Sequence, residues 1–265
     1  NSKDGTEELI KNHQQDDKRI KYFKNQTNIG ANRNIYRGYL ESFSDWIMIL
    51  TDDDYLKKGF LEEVLELIKK NKECGLIIPA KKDEELVYDQ TTLIKPSPEA
   101  FKVAFGSSGV ISSLLFNKKH LNSVEWKLDN SIYPQVSLAS QISLISDIIY
   151  MVPKNKPIIG SWGDDILNLE RSDDFGVFER IQIAKETSLK LNQKINQTYF
   201  LVTASLFSWT VNTLLKGIFS KSSDLGVKFL KLLFSNKELA SSPVFIALLF
   251  KRIIFNSTYK IRIRI

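Results

Sequence analysis

The chain has 265 residues, 43% of them hydrophobic and 26% charged, which excludes a disordered chain and predicts a large hydrophobic core. Residues 187–265 contain twelve basic and two acidic residues, a net charge of +10, which leaves −4 for the rest of a chain whose total is +6. We therefore predict a neutral or acidic folded part followed by a basic segment with an anionic partner, either a membrane or a nucleic acid.

The first predicted elements alternate between helix and strand. Asp4 and Gly5 form a turn, and Thr6 is the predicted N-cap of a helix with acidic residues in its first turn. Residues 19–23 alternate polar and apolar side chains like a short strand, and residues 31–41 return to a helical pattern. The chain begins without an initiator methionine or signal peptide, so we expect that its native start, including a first strand, is missing.

The middle of the chain predicts an α/β fold. Residues 46–50 form a continuous apolar run, as expected for a strand buried on both faces of a mostly parallel sheet. Residues 59–72 have the spacing of an amphipathic helix, and residues 75–79 form another apolar strand. Strands that are separated by helices favour a doubly covered, Rossmann-like sheet, mostly parallel and flanked by helices.

Residues 83–95 show no clear pattern of helix or strand. Residues 96–106 predict a short helix, 107–116 a loop or strand, 133–145 a helix and 148–152 a strand, followed by an irregular loop to residue 165. From residue 175 almost to the end, only helices are predicted. We therefore divide the chain into an α/β domain at residues 1–174 and a basic helical appendage at residues 175–265.

Cys74 is the single cysteine, so the chain has no disulfide framework, and a reducing cytosolic location is expected. It follows a lysine-rich helix end and precedes an apolar strand. This setting is typical of a structural cysteine rather than a reactive one.

Three consecutive aspartates, Asp52, Asp53 and Asp54, follow the predicted strand at residues 46–50. Mutual repulsion raises the cost of ionising adjacent carboxylates, and a bound divalent cation removes that cost. Mg²⁺ and Mn²⁺ prefer carboxylate oxygens and keep positions open for phosphates, and open α/β sheets bind ligands at the carboxyl ends of their strands. The triplet thus predicts a metal and diphosphate site, although alone it is equally typical of a solvated turn that caps the next helix.

Three segments resemble motifs of family 2 glycosyltransferases of the GT-A fold, particularly bacterial enzymes that build O-antigen or capsular polysaccharide. Residues 1–6 are similar to the family's Asp-x-Ser-x-Asp-Gly-Thr turn, residues 28–34 to its Asn-x-Gly-x-x-x-Asn segment, and residues 51–56 to its metal-binding Asp-x-Asp region. The segments occur in the family's order and cover roughly the first third of the chain. The resemblance implies a nucleotide-sugar donor and a Mn²⁺ or Mg²⁺ cofactor.

By position in the third motif, the resemblance implies that Asp53 is a metal ligand, that Asp52 contacts the donor ribose or the metal, and that Asp54 shares either task. Thr51 stands where many members have the first aspartate of the motif. Which two residues form the metal-binding pair therefore stays open.

By position in the second motif, Asn28, Gly30, Arg33 and Asn34 approach the donor nucleotide, with Gly30 permitting a backbone turn and Arg33 able to meet a base or a phosphate. Helix capping by Asn28 and a solvated Arg33 are alternative interpretations. In the family, the first strand and an aspartate at the end of the second hold the base, so a chain without them is not expected to bind donor normally.

The resemblance also implies inversion at the anomeric carbon, which requires a general base near the acceptor hydroxyl. The family's usual acidic pair is absent from the expected window, where Glu125 and Asp129 are the available carboxylates. We choose Asp129, a residue that is also typical of a surface loop. Ser107 and Ser108 are predicted on the acceptor side, and Trp162 is predicted to cover the sugar, although a lone tryptophan is also typical of packing.

The predicted function is that of a metal-dependent inverting glycosyltransferase that acts on a growing, lipid-linked cell-surface glycan. The basic segment suits helices on an anionic membrane surface at the cytoplasmic face, or a helical bundle that packs on the catalytic domain. Two alternatives are a nucleotidyltransferase of a related fold and a basic nucleic-acid-binding protein, but no recognised nucleic-acid-binding motif accompanies the charge, and nucleic acid is not an expected partner.

Overall fold

The structure, a computed structural model, describes residues 4–52, 54–81, 86–129, 131–154, 177–190, 199, 202–204, 235 and 237–262. The chain divides into two compact units, Asn1–Ser42 and Phe43–Ile265. The first unit contains helix α1 (Thr6–Asp16) and helix α2 (Ala31–Glu41). Both helices were predicted.

The start of α1 differs from the prediction that Thr6 is its N-cap. Gly5 is the N-cap, in a left-handed conformation with φ 84°, which glycine adopts without steric cost. The Asp4 carboxylate accepts hydrogen bonds from the backbone nitrogen of Thr6 at 3.3 Å and from its hydroxyl at 2.5 Å. Asp4 therefore provides the acceptor that the prediction assigned to Thr6.

The strand predicted at residues 19–23 does not form. Within the described part of the chain this segment pairs with no strand, and a β-strand requires a neighbouring strand for its hydrogen bonds. It is instead tied to α1 by the Lys24 ammonium, which lies 2.5 Å from the Glu7 carboxylate.

The second unit alternates strands and helices. Its described elements, in chain order, are β1 (Trp46–Met48), α3 (Phe60–Lys70), β2 (Leu76–Pro79), β3 (Thr92–Ile94), α4 (Pro98–Ser107), β4 (Leu115–Asn117), α5 (Lys118–Leu121), α6 (Pro134–Ile145), β5 (Ile148–Met151), α7 (Val177–Lys190), α8 (Lys237–Ala240) and α9 (Pro243–Arg262). Strand β3 and helix α5 were not predicted.

The five described strands form one sheet in the order β1-β4-β2-β5-β3. Strand β4 is antiparallel to both of its neighbours, β1 and β2. Strands β2 and β5 are parallel, and β3 is antiparallel to β5. It follows that β1, β2 and β5 run in one direction and that their carboxyl ends lie at the same edge of the sheet.

This topology confirms the α/β class and corrects two details of the prediction. The pairing is not mostly parallel, because β4 inserts between β1 and β2 and β3 adds at the far side, so one of the four described pairings is parallel. Strand β1 is not buried on both faces, because it has one described neighbour and its residues are half-buried. Strand β2, at the centre, is fully buried.

Helix α3 packs on the sheet through the apolar stripe that the sequence predicts. Phe60 and Val64 join a buried cluster with Ile77 and Ile149. Cys74 belongs to this cluster, and burial raises the pKa of its thiol to about 11. A thiol with a raised pKa remains protonated at neutral pH, which supports a structural role for Cys74.

Gly75, just before β2, lies against the end of α6. A Cβ atom at this position would lie 2.7 Å from the Ile142 Cγ2 atom and 2.8 Å from the Ser146 Cβ atom. Real side chains do not approach so closely, so the packing of α6 on β2 requires glycine here.

The described part of the basic segment packs on the helices of the second unit. One buried cluster joins residues of α4, α6, α7 and the later helices, among them Phe101, Phe105, Val136, Ile181, Ala184, Tyr199, Val202, Leu239, Phe245 and Leu249. These contacts support the bundle interpretation for the inner faces of α7 and α9. The division at residues 174 and 175 stays a prediction.

None of the helices in the described residues combines the length and apolar character needed to cross a bilayer.

Candidate active site

The turn that follows β1 carries Asp52 and Asp54, whereas Asp53 lies outside the described residues. Asp52 is exposed and Asp54 is half-buried. The Thr51 hydroxyl donates a hydrogen bond to the Asp54 Oδ2 atom at 2.8 Å, and the Asp54 backbone nitrogen donates to the Thr51 carbonyl oxygen at 3.2 Å. These two bonds close the turn and fix the direction of the Asp54 side chain.

Ser112 attaches this turn to the segment that leads into β4. Its hydroxyl oxygen accepts from the Thr51 backbone nitrogen at 3.0 Å and lies 2.9 Å from the Thr51 hydroxyl. Because the single hydroxyl proton of Thr51 is directed to Asp54, Ser112 is the donor in the second contact. A continuous chain of hydrogen bonds therefore runs from Ser112 through Thr51 to Asp54.

Ser113, the next residue, has a strained backbone. Its φ of 69° lies in the left-handed region, which costs a residue with a side chain about 1–2 kcal/mol. The Ser113 backbone nitrogen donates to the Ile49 carbonyl oxygen at 2.9 Å, so the strained conformation serves the attachment of β4 to the end of β1. Strain of this kind concentrates at functional sites.

Lys81 follows β2, and sequence reasoning overlooked it. Its side chain is buried, and its ammonium group donates to the Val110 carbonyl oxygen at 2.8 Å. Because β1 and β2 end at the same edge of the sheet, Lys81 brings a buried positive charge to the edge that carries Asp52 and Asp54. The sequence could have indicated Lys81, because it is a charged residue just after an apolar strand, the same pattern from which the aspartates were predicted.

In the first unit, the predicted donor-side residues surround the start of α2. The Asn28 side-chain oxygen accepts from the Gly30 backbone nitrogen at 3.0 Å. Gly30 is the N-cap of α2, with φ 79° and ψ 162°, a backbone conformation that favours glycine. The special backbone predicted for Gly30 is confirmed, and Asn28 supports the turn that begins the helix.

Asn34 and Arg33 lie in the first turn of α2. The Asn34 side-chain oxygen accepts from the Asn25 side-chain nitrogen at 2.7 Å, and Arg37 also donates to Asn25 and to the Lys24 carbonyl oxygen. Arg33 is exposed. The unit therefore brings Asn28, Gly30 and Asn34 into one turn.

The predicted acceptor-side serines lie at the end of α4. Ser107 is its last residue and Ser108 its C-cap, and both are buried. In the described part of the chain, the Ser108 hydroxyl has no hydrogen-bond partner. The loop that follows is held to α6, because the buried Gln135 donates from its side-chain nitrogen to the Gly109 carbonyl oxygen at 2.8 Å.

The proposed base, Asp129, is exposed in the loop between α5 and α6. Glu125, the alternative, lies in the same loop. There the Glu125 backbone nitrogen donates to the Gln141 side-chain oxygen at 3.1 Å, and its carbonyl oxygen accepts from the Gln141 side-chain nitrogen at 3.0 Å. Trp162 lies outside the described residues.

The acidic turn fits a divalent cation that shares its coordination with a substrate. Asp52, Asp54 and the Thr51 hydroxyl present oxygen atoms, the ligands that Mg²⁺ and Mn²⁺ prefer. Among the described residues, no group of three or more histidine, cysteine, aspartate or glutamate side chains could hold a metal ion by itself. Binding through one or two carboxylates plus substrate phosphates is the usual arrangement for Mg²⁺ at nucleotide sites.

Residues 1–130 match the family described as glycosyl transferase family 2. This match supports the predicted family over the first half of the chain. A stretch of 67 residues is 39% identical to a GalNAc(5)-diNAcBac-PP-undecaprenol beta-1,3-glucosyltransferase of Campylobacter jejuni, and it covers 25% of this chain and 22% of that protein. The matched stretch thus spans about a fifth of the curated relative.

Two solved structures resemble most of the chain. TarS 1–349 of S. aureus has a TM-score of 0.58 and 11% identity, covering 96% of this chain and 70% of that one. The mannosyltransferase PcManGT of Pyrobaculum calidifontis, solved with GDP-Man and Mn²⁺, has a TM-score of 0.54 and 11% identity, covering 95% and 72%. At this identity the likeness concerns the fold, and it confirms the predicted GT-A type.

Proposed function

We propose that this chain is the catalytic part of an inverting, metal-dependent glycosyltransferase. It moves a sugar from a nucleoside diphosphate to a hydroxyl of a growing, lipid-linked cell-surface glycan. The observation that carries the proposal is the acidic turn at the end of β1, in which Ser112 and Thr51 hold Asp54 beside the exposed Asp52. The matched family and the relative named for an undecaprenol-linked substrate support the sugar and lipid parts of the proposal.

One group of residues acts on the donor, and another group acts on the acceptor. Asp53 and Asp54 would hold a Mg²⁺ or Mn²⁺ ion, and Asp52 would contact the donor ribose or the metal. When bound, the ion would compensate the charge that develops on the departing nucleoside diphosphate. Asn28, Gly30, Arg33 and Asn34 bind the nucleotide. Asp129 accepts the proton of the acceptor hydroxyl while that oxygen attacks the anomeric carbon on the face opposite the leaving group, which inverts the configuration.

Ser107, Ser108 and Trp162 are proposed on the acceptor side. Among the described residues, the buried Ser108 hydroxyl has no hydrogen-bond partner, which costs free energy and leaves it able to bond to an acceptor group.

The experiment is a donor screen on the full-length natural chain with UDP-, GDP- and dTDP-sugars in the presence of Mn²⁺. Asp52→Asn, Asp53→Ala and Asp54→Asn are each expected to lower turnover about a hundredfold or more, because a metal ligand contributes several kcal/mol to transition-state stabilisation. Asp45→Asn is the matched control, since Asp45 is an exposed aspartate at the other end of β1. Equal activity in all four variants, or no turnover of any donor, contradicts the proposal.

We also propose that α9 lies on an anionic membrane surface at the cytoplasmic face, where lipid-linked acceptors are held. Its inner face is buried through Phe245 and Leu249. Its outer face exposes Ile246, Phe250 and Ile254, spaced by four residues, at 39%, 60% and 59%. An apolar stripe within a segment of high positive charge is typical of a helix that lies in the membrane interface.

Flotation with vesicles of phosphatidylethanolamine and phosphatidylglycerol tests this surface. The double variant Phe250→Ser and Ile254→Ser is expected to reduce binding roughly tenfold, because it removes apolar area that would enter the interface. Leu65→Ser on α3, where the side chain is 54% exposed, is the matched control and is expected to float like the wild type. Equal flotation of the three proteins contradicts the membrane proposal and leaves the transferase proposal intact.

A further inference from the structure

Glu179, in the first turn of α7, holds the loop that precedes α6. Its carboxylate accepts hydrogen bonds from the Ser131 hydroxyl, from the Ile132 backbone nitrogen at 2.6 Å and from the Tyr133 backbone nitrogen at 3.4 Å. Three donors from three consecutive residues converge on one charged acceptor. Hydrogen bonds to a charged group are stronger than those between neutral groups, so Glu179 fixes the backbone of this loop.

The same contacts supply a cap that α6 lacks. Tyr133 is the N-cap of α6, and its side chain makes no capping hydrogen bond. The first backbone nitrogens of a helix need acceptors from outside the helix, and a negative charge there is favoured by the helix dipole. Glu179 supplies, from another element, a negative charge at this helix start and an acceptor for the N-cap backbone nitrogen of Tyr133, so α7 helps to hold the start of α6.

Arg180, the next residue, fixes the other side of the same region. Its guanidinium donates to the Phe105 carbonyl oxygen at 3.2 Å and lies 5.1 Å from the Phe105 ring and 5.2 Å from the Tyr133 ring. A guanidinium between two aromatic faces restrains both rings through cation–π contacts. Arg180 thereby joins the end of α4, which carries Ser107 and Ser108, to Tyr133.

These contacts connect the two segments assigned to the acceptor. Asp129 lies two residues before the loop held by Glu179, and Gln135, in the first turn of α6, holds the Gly109 carbonyl oxygen. The first turn of α7 therefore contacts the base-bearing loop and the serine-bearing helix end.

We infer that Glu179 and Arg180 are positioning residues that set the acceptor side of the site. They hold the Asp129 loop and the Ser107–Ser108 segment in a fixed relation without contacting the substrate themselves. This inference rests on the proposed function, and it assigns to α7 a role in recognising the acceptor rather than the donor.

The test compares Glu179→Ala, Glu179→Gln and the control Gln182→Ala in the full-length natural chain. Gln182 is an exposed residue of the same helix whose side chain bonds within the helix to Glu186. Two activities are measured with the donor identified by the screen: transfer to acceptor, and hydrolysis of donor without acceptor. Hydrogen exchange of peptides spanning residues 129–136 reports the loop directly.

We expect Glu179→Ala to lower kcat/KM for the acceptor at least tenfold, to leave donor hydrolysis within about twofold of the wild type, and to speed exchange in residues 129–136. Glu179→Gln should recover only part of the transfer, because its single amide oxygen still accepts hydrogen bonds but its amide nitrogen cannot and the charge is lost. Gln182→Ala should behave as the wild type. Arg180→Lys should also affect transfer more than hydrolysis, because lysine cannot reproduce the planar stacking.

Parallel loss of transfer and hydrolysis in Glu179→Ala would overturn the inference, since a general structural defect affects both. Unchanged acceptor parameters in an active enzyme would overturn the inference alone. A wild-type chain that turns over no donor overturns the proposed function instead, and the inference falls with it, so the two failures are distinguishable.

Discussion

The most direct test of the site's construction is Thr51→Val, which keeps the shape of the side chain and removes its hydroxyl. In the wild type this hydroxyl receives the Ser112 proton and donates its own to Asp54. The substitution leaves the Ser112 hydroxyl, in a residue that is 2% exposed, without its acceptor. It also removes one donor from the Asp54 carboxylate.

The expected loss of stability follows from these two lost hydrogen bonds. The Ser112 hydroxyl still accepts from the Thr51 backbone nitrogen, but its own buried proton loses its acceptor, which costs about 1–3 kcal/mol, whereas water replaces part of the bond to the half-buried Asp54. The free energy of unfolding should therefore fall by about 2 kcal/mol. With a urea m-value of about 2.5 kcal/mol/M, the unfolding midpoint shifts down by about 0.8 M.

The assay is equilibrium urea unfolding followed by tryptophan fluorescence, with Thr51→Ser as the matched control because it retains the hydroxyl. Thr51→Ser should lose less than half as much stability as Thr51→Val. Metal-dependent donor turnover should fall about three- to tenfold in Thr51→Val, since Asp54 is no longer oriented. A midpoint unchanged by Thr51→Val, or an equal loss in both variants, would refute the hydrogen-bond chain.

Three further outcomes are expected. Gly75→Ala should destabilise by about 2 kcal/mol through its overlap with α6, seen as a lower thermal midpoint, whereas Gly106→Ala, whose added Cβ would meet nothing within 4 Å, should not destabilise. Ser113→Gly should raise the free energy of unfolding by up to about 1 kcal/mol, seen as a higher urea midpoint, because glycine adopts the left-handed backbone without strain. A lower midpoint would contradict this expectation. The pKa of Glu7 is lowered to about 2, first by its hydrogen bonds to two lysines. Its contribution to the free energy of unfolding is therefore present above pH 4.5 and is lost as the pH falls towards 2. Carboxyl NMR titration should find a pKa near 2 for Glu7, and Glu7→Gln should remove this part of the pH dependence of stability.

The sequence predicted elements well where the hydrophobic pattern is long and local. Helix α2 begins and ends where its pattern does, and α3 and α6 agree within two residues. Strand β3 was missed because three residues with one buried side chain carry too little pattern to be recognised. The predicted strand at residues 19–23 shows the opposite error, since alternation does not provide the neighbouring strand that pairing requires.

Residues of the candidate site were predicted only where a local pattern indicates them. Asp52 and Asp54 were predicted because they follow an apolar run, and Gly30 because its motif needs a special backbone. Ser112 was not found, because it lies 61 residues from Thr51 in sequence and no local pattern indicates the antiparallel insertion of β4 that brings the two together. Glu179 and Arg180 act on loops 46 or more residues away, so their role depends on tertiary contacts alone.

The insertion of β4 joins two strand ends at the edge of the sheet that carries the acidic turn. Segment 110–112, just before β4, meets both neighbouring strand ends: the Val110 carbonyl oxygen accepts from the buried Lys81 ammonium, and Ser112 bonds to Thr51 and through it to Asp54. The negative charge of the acidic turn is what a divalent cation and the diphosphate that accompanies it would neutralise. Because Lys81 anchors the segment whose Ser112 orients Asp54 through Thr51, removing Lys81 should weaken donor binding even though Lys81 follows a different strand from the aspartates.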